Sequence, residues 1–94
     1  MSASLTLGPV LDLRAAGALR ADLLEKRGQA MVLDASGVER MGGLCLQVLL
    51  AAQAAWAEDG LPFTIASPSE GFREAVRLLG AGERLANLET GGAP

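Results

Sequence analysis

From Leu44 to Ala57 the chain carries no charge and no helix breaker, and only Gln47 and Gln53 are hydrophilic. What precedes this run fixes its setting. A short apolar segment, Met31-Val32-Leu33, ends at Asp34. The polar turn Ala35-Ser36-Gly37 follows, then Val38, the pair Glu39-Arg40, Met41 and two glycines. A buried strand, a loop and a long helix that stops at Asp59-Gly60 make one α/β unit. A surface helix of a small domain normally carries one apolar stripe. Here Leu46, Leu49, Leu50 and Gln53 form one, and Leu44, Val48, Ala51 and Ala55 form another. A small sheet covers only one of them. The second is left for a neighbouring helix or for a partner protein, which points to binding rather than chemistry.

The rest of the chain arranges itself around that unit. Leu5-Thr6-Leu7 alternates and is bounded by the turn signal Gly8-Pro9, after which Val10-Leu11 can form a second short strand. Asp12 is a helix N-cap ahead of Leu13, Ala16, Leu19, Leu23 and Leu24. Lys26 and Arg27 are expected in the last turn of that helix, against its negative end, with Gly28 as the stop. Beyond Gly60, Leu61 to Ala66 reads as a strand opening at Pro62. Ser67-Pro68-Ser69-Glu70 has the form of a capping box with proline in the first helical position. Phe72, Ala75, Val76 and Leu79 then mark one face of a third helix ending at Gly80. A short helical piece is expected from Glu83 to Leu88 and a frayed tail from Thr90 to Pro94. Alternating strands and helices imply a small, mostly parallel sheet in a single α/β domain, with the helices mainly on one face. The opening strand pair would be the antiparallel exception.

Composition narrows function by exclusion. The chain has 94 residues and a net charge of −3, with its eight basic residues scattered rather than striped, which disfavours nucleic acid. It has no histidine and one cysteine, so neither a histidine-based catalytic group nor an intrachain disulfide is available. No zinc set and no carboxylate pair at ligand spacing appears, and no nucleotide-binding glycine motif. An enzyme, a metal site and a cofactor are therefore not expected. With no membrane-length apolar run and no signal-peptide core, a cytoplasmic protein is expected.

The segment Val32-Leu33-Asp34-Ala35-Ser36-Gly37-Val38-Glu39, a short loop, and then Leu46-Gln47-Val48-Leu49-Leu50 resembles the STAS domain, the sulfate-transporter and anti-sigma-factor-antagonist family. Trp56 to Gly60, the strand through Ile65, and Pro68 to Gly80 fall in register with it, so the likeness spans about Leu5 to Leu88. The resemblance implies a non-catalytic module that docks on a kinase, a regulator or a transporter subunit. In the antagonists of anti-sigma factors a serine at the start of the second helix is phosphorylated by the partner kinase, and docking is lost. A doubly charged phosphate in an apolar docking patch repels and must be desolvated.

This chain departs from the family motif at that point. Gly42 stands where the family has Asp, and Gly43 where it has Ser or Thr; the nearest hydroxyls are Ser36 and Thr64. Glycine cannot accept a phosphate, so Gly43 is a degenerate phosphorylation position and docking is expected to be constitutive or switched through the partner. The contact residues implied are Met41, Gly42, Gly43, Leu44, Gln47 and Val48. The pattern Met41 to Gln47 is similar to STAS-like domains associated with bacterial chemotaxis gene clusters. A kinase-type partner in a sigma-factor or chemotaxis pathway is one expectation. A STAS subunit of an ABC-type lipid or solute transport complex is the alternative, and a small-ligand or nucleotide-binding module a third. A homodimer through the second apolar stripe also stays open.

A few further residues can be read structurally or functionally. Cys45, where the family has glycine, is a thiol sensor in a first helical turn or a small buried hydrophobe, and the second is preferred. Asp34 is expected to cap its turn near Ser36 or Gly37 rather than bind a metal. Trp56 is an interface anchor or a core residue under the first helix. Arg73 and Arg77, at ion-pair spacing from Glu70 and Glu74, form a solvated face.

Overall fold

The computed structural model describes residues 2–80. Its elements are β1 (Ser2–Thr6), β2 (Val10–Leu11), α1 (Leu13–Glu25), β3 (Ala30–Asp34), β4 (Arg40–Met41), α2 (Gly43–Glu58), β5 (Phe63–Ala66) and α3 (Glu70–Leu78). The helical piece and the tail expected beyond residue 80 lie outside the described residues.

Two parallel ladders form. β3 is central in the order β1-β3-β5, and β2 pairs with β4 in a separate two-stranded ladder. The expected antiparallel pairing of the first two strands is corrected: β1 runs parallel to β3, from Ser2 opposite Ala30 to Thr6 opposite Asp34, and β2 runs parallel to β4. The physical reason lies at Gly8-Pro9, which works as a corner rather than a hairpin. It carries the chain from one ladder to the other, with the Pro9 carbonyl accepting from the Glu39 and Arg40 N–H groups at 2.7 and 3.2 Å. β4 is not legible in the sequence because Arg40-Met41, unlike Val10-Leu11, has no β-branched or aromatic residue to mark a strand.

The main sheet has a dry face and an open one, as strand alternation requires. Met31, Leu33, Phe63 and Ile65 are at most 1% exposed, whereas Val32 between the first two is 39% exposed. Of the helices, α2 lies against β5 of this sheet and against α1, while α1 also meets β2 and α3 meets β4 of the smaller ladder. Their buried side chains join the packed face in one core. Trp56 belongs to this core. It is 2% exposed, its Nε1–H donates to the Gln29 carbonyl at 2.6 Å, and its ring tilts against Phe63 with centroids 5.4 Å apart.

Helix ends follow local chemistry, with two shifts from expectation. The Asp12 carboxylate accepts from the Arg14 and Ala15 N–H groups, as a good N-cap should. α1 ends at Glu25 with Lys26 as its C-cap, so Lys26 and Arg27 lie beyond its last turn, and Arg27 instead reaches Asp59 at 2.9 Å. The start of α3 moves from Ser67 to Ser69, whose hydroxyl accepts from the Phe72 N–H at 3.0 Å. Ser67 takes a left-handed φ of 51°, which excludes it from starting a helix. In α3, Phe72, Ala75 and Val76 are buried, while Leu79 caps the end at 47% exposure. Arg77 pairs with Glu74 at 2.6 Å on the exposed face, and the Arg73 guanidinium donates to the Pro68 carbonyl at 3.3 Å.

Candidate docking site at the start of the second helix

The loop from Ala35 to Met41 sets where α2 begins, and it is held from both sides. On one side the Gly42 N–H donates to the Leu11 carbonyl at 2.9 Å, extending the β2–β4 ladder to the helix start. On the other, the Ser69 N–H donates to the Ala35 carbonyl at 3.1 Å, and the Ser69 hydroxyl donates to the Val38 carbonyl. Gly71 completes the clamp. A Cβ there would overlap the Glu39 carbonyl, so the first turn of α3 sits on the loop backbone as only glycine allows. Within the loop, the Asp34 carboxylate accepts from the Ser36 N–H at 2.9 Å. The Ser36 hydroxyl and N–H together hold that carboxyl below its ordinary pKa, by stabilising the charged form.

Beyond the clamp the helix opens bare. Gly42 is its N-cap in extended conformation, and no side chain caps the first-turn N–H groups. Neither glycine is demanded by the backbone. Gly42 has φ −90°, a Cβ there would meet only the Leu11 carbonyl at 3.8 Å, and a Cβ at Gly43 would meet nothing within 4 Å.

The six candidate contact residues separate by burial. Gly42, Gly43, Leu44 and Gln47 are exposed, Leu44 at 50%. Val48 is half-buried one turn further on. Met41 is 7% exposed in β4, so its side chain belongs to the core and supports the site from beneath instead of offering contact. Its burial follows from pairing with Leu11, which is 4% exposed.

The two stripes of α2 also divide differently from the expected spacing. The buried residues are Cys45, Leu46, Leu49, Ala52 and Trp56, while Leu50 and Gln53 are half-buried. Cys45 is fully buried, and its thiol donates to the Asp12 carbonyl at 3.2 Å. Burial, and to a lesser degree the Asp12 charge, pushes the thiol's pKa up, the opposite of a reactive first-turn thiolate. Sequence reasoning did not find this tie between the N-cap of α1 and the first turn of α2. A lone cysteine beside two glycines carries no signal for it.

Among the described residues no group of three or more His, Cys, Asp or Glu side chains is arranged to hold a metal ion. No helix among them is long and apolar enough to cross a membrane. The arrangement offers an exposed leucine, uncapped backbone and a firmly set helix start, which suits protein contact.

No curated protein and no solved structure matches the chain. The family described as "Mlab, STAS domain" matches over residues 2–89. The parallel β1-β3-β5 sheet, the three helices packed with it in one core and that match over nearly all of the chain lead to one assignment: the chain belongs to the STAS domain family.

Proposed function

We propose that this STAS domain is a non-catalytic docking module of a bacterial regulatory pathway. It binds a kinase-type protein partner in the cytoplasm through the start and exposed flank of α2. Gly42, Gly43, Leu44, Gln47 and Val48 form the contact, with Met41 setting their height from below. The observation that carries this reading is Leu44, half exposed beside two glycines that the fold does not require. An exposed leucine on a helix start held from two sides is a preorganised apolar anchor, and preorganisation lowers the entropic cost of binding. The absence of a hydroxyl at Gly43 makes the contact constitutive with respect to phosphorylation there.

The same glycine favours a second reading. A kinase partner would find no substrate at this position, whereas a permanent subunit of an ABC-type transport complex needs none. Affinity capture with wild type and Leu44→Asp in parallel, followed by mass spectrometry, tests both. Wild type is expected to retain a kinase-type regulator that Leu44→Asp loses, with unchanged far-UV circular dichroism. Retention of an ATPase or permease would transfer the module to the transport class. Equal retention by the two proteins would remove the α2 flank as the contact.

A further inference from the structure

Alongside the docking flank runs a groove of about 320 Å³ between α1 and α2. Leu23, Leu24 and Arg20 line it from α1, with Arg27 just past that helix's end; Val48, Ala51 and Ala55 lie opposite on α2. Both walls follow helical spacing over about two turns, so the groove is a trough along the helices rather than a round pit. Its α2 side is built largely of alanine, and short side chains let another backbone approach closely. Leu24 is 51% exposed on the rim, an apolar surface with no cover among the described residues.

Charge selects the occupant. The chain carries a net charge of −3, yet the only charged residues lining the groove are Arg20 and Arg27. Arg27 is engaged by Asp59 at 2.9 Å, while Arg20 forms no ion pair among the described residues. The acidic Asp22 of α1 lines a different groove, against β1 and β2. We infer that this groove takes an amphipathic helix of the partner protein, with its apolar stripe on the alanine floor and an acidic residue facing Arg20. The inference rests on the docking reading and extends it to the partner's chemistry, since Gln47 and Val48 belong to both surfaces.

Two synthetic helical peptides test it. Each carries a leucine stripe at i, i+3, i+4 and i+7; one has glutamate beside the stripe, the other lysine. Titration calorimetry should show the acidic peptide binding roughly tenfold more tightly than the basic one. Arg20→Glu should reverse that order, and Ala51→Arg, at an exposed position, should abolish both. Equal binding of the two peptides, no binding, or binding indifferent to Ala51→Arg would overturn the proposal. So would a dimer in sedimentation that Ala51→Arg dissociates, which would give the groove to a second copy. The two readings fail separately. Capture of the partner lost with Leu44→Asp but untouched by Arg20→Glu and Ala51→Arg removes the groove and keeps the flank. Peptide binding with partner capture insensitive to Leu44→Asp does the reverse.

Discussion

Gly71 is the described glycine with the least room for a side chain. Its Cα lies so close to the Glu39 carbonyl that even a methyl group has no place, and both partners are backbone. Neither can rotate away, so relief requires α3 or the loop to shift. Gly71→Ala is therefore expected to cost about 2–3 kcal/mol or more by overpacking, although alanine favours a helix. Urea denaturation measures it, and a loss under about 0.5 kcal/mol, the scale of an ordinary surface change, would mean the clamp is loose. Trp56 tests a different term. Trp56→Phe keeps an aromatic ring in the core but leaves the Gln29 carbonyl without its donor, at an expected cost of about 1–3 kcal/mol. The transition should be followed by far-UV circular dichroism, because the chain has no other tryptophan.

At the scale of elements, α2 is held at its start by backbone geometry and left without a cap. Gly42→Asp would supply one. The extended N-cap conformation is already in place and the added Cβ meets only an ordinary contact. A carboxylate there also lies at the positive end of the helix. A stability gain of about 0.3–1 kcal/mol is expected in thermal unfolding. Partner affinity should fall in the same variant, because the new charge sits beside Leu44; unchanged affinity would argue that the helix start is not in contact. The sequence shows most of these elements and few of their pairings. Asp12, Gly60 and the α2 run are legible because a cap, a stop and a long uncharged helix each act within a few residues. The parallel pairing of β1 with β3 is not, since it depends on α1 returning the chain between them. Nor is β4, which exists only because Arg40 and Met41 meet Val10 and Leu11. The candidate site shows the same division. Its glycines and Leu44 can be read from the motif, but the burial of Met41 comes from a ladder formed with residues thirty positions away.

For the whole molecule, Cys45 is a built-in reporter of how cooperatively the packing opens. The thiol is fully buried, donates to the Asp12 carbonyl, and has its pKa pushed up by that burial. Alkylating reagents attack the thiolate, so the native state is protected both sterically and by the small thiolate fraction. Labelling at pH 8 should run roughly 10³-fold or more slowly in the native protein than in concentrated urea. A native rate close to the unfolded one would mean that the α1–α2 packing is not closed in solution. Combining the reagent with Trp56→Phe then separates two modes of opening. Trp56 acts near the far end of α2, through its bond to the Gln29 carbonyl, away from the clamp at the helix start. If Cys45 is reached only by global unfolding, the labelling rate should rise by the factor that the lost stability dictates, about tenfold for each 1.4 kcal/mol. If fraying of the α2 start exposes it, the rate should stay near the wild-type value. That second outcome would identify the start of α2 as a separately mobile unit, and binding at the proposed docking site should then slow labelling by holding the helix start shut.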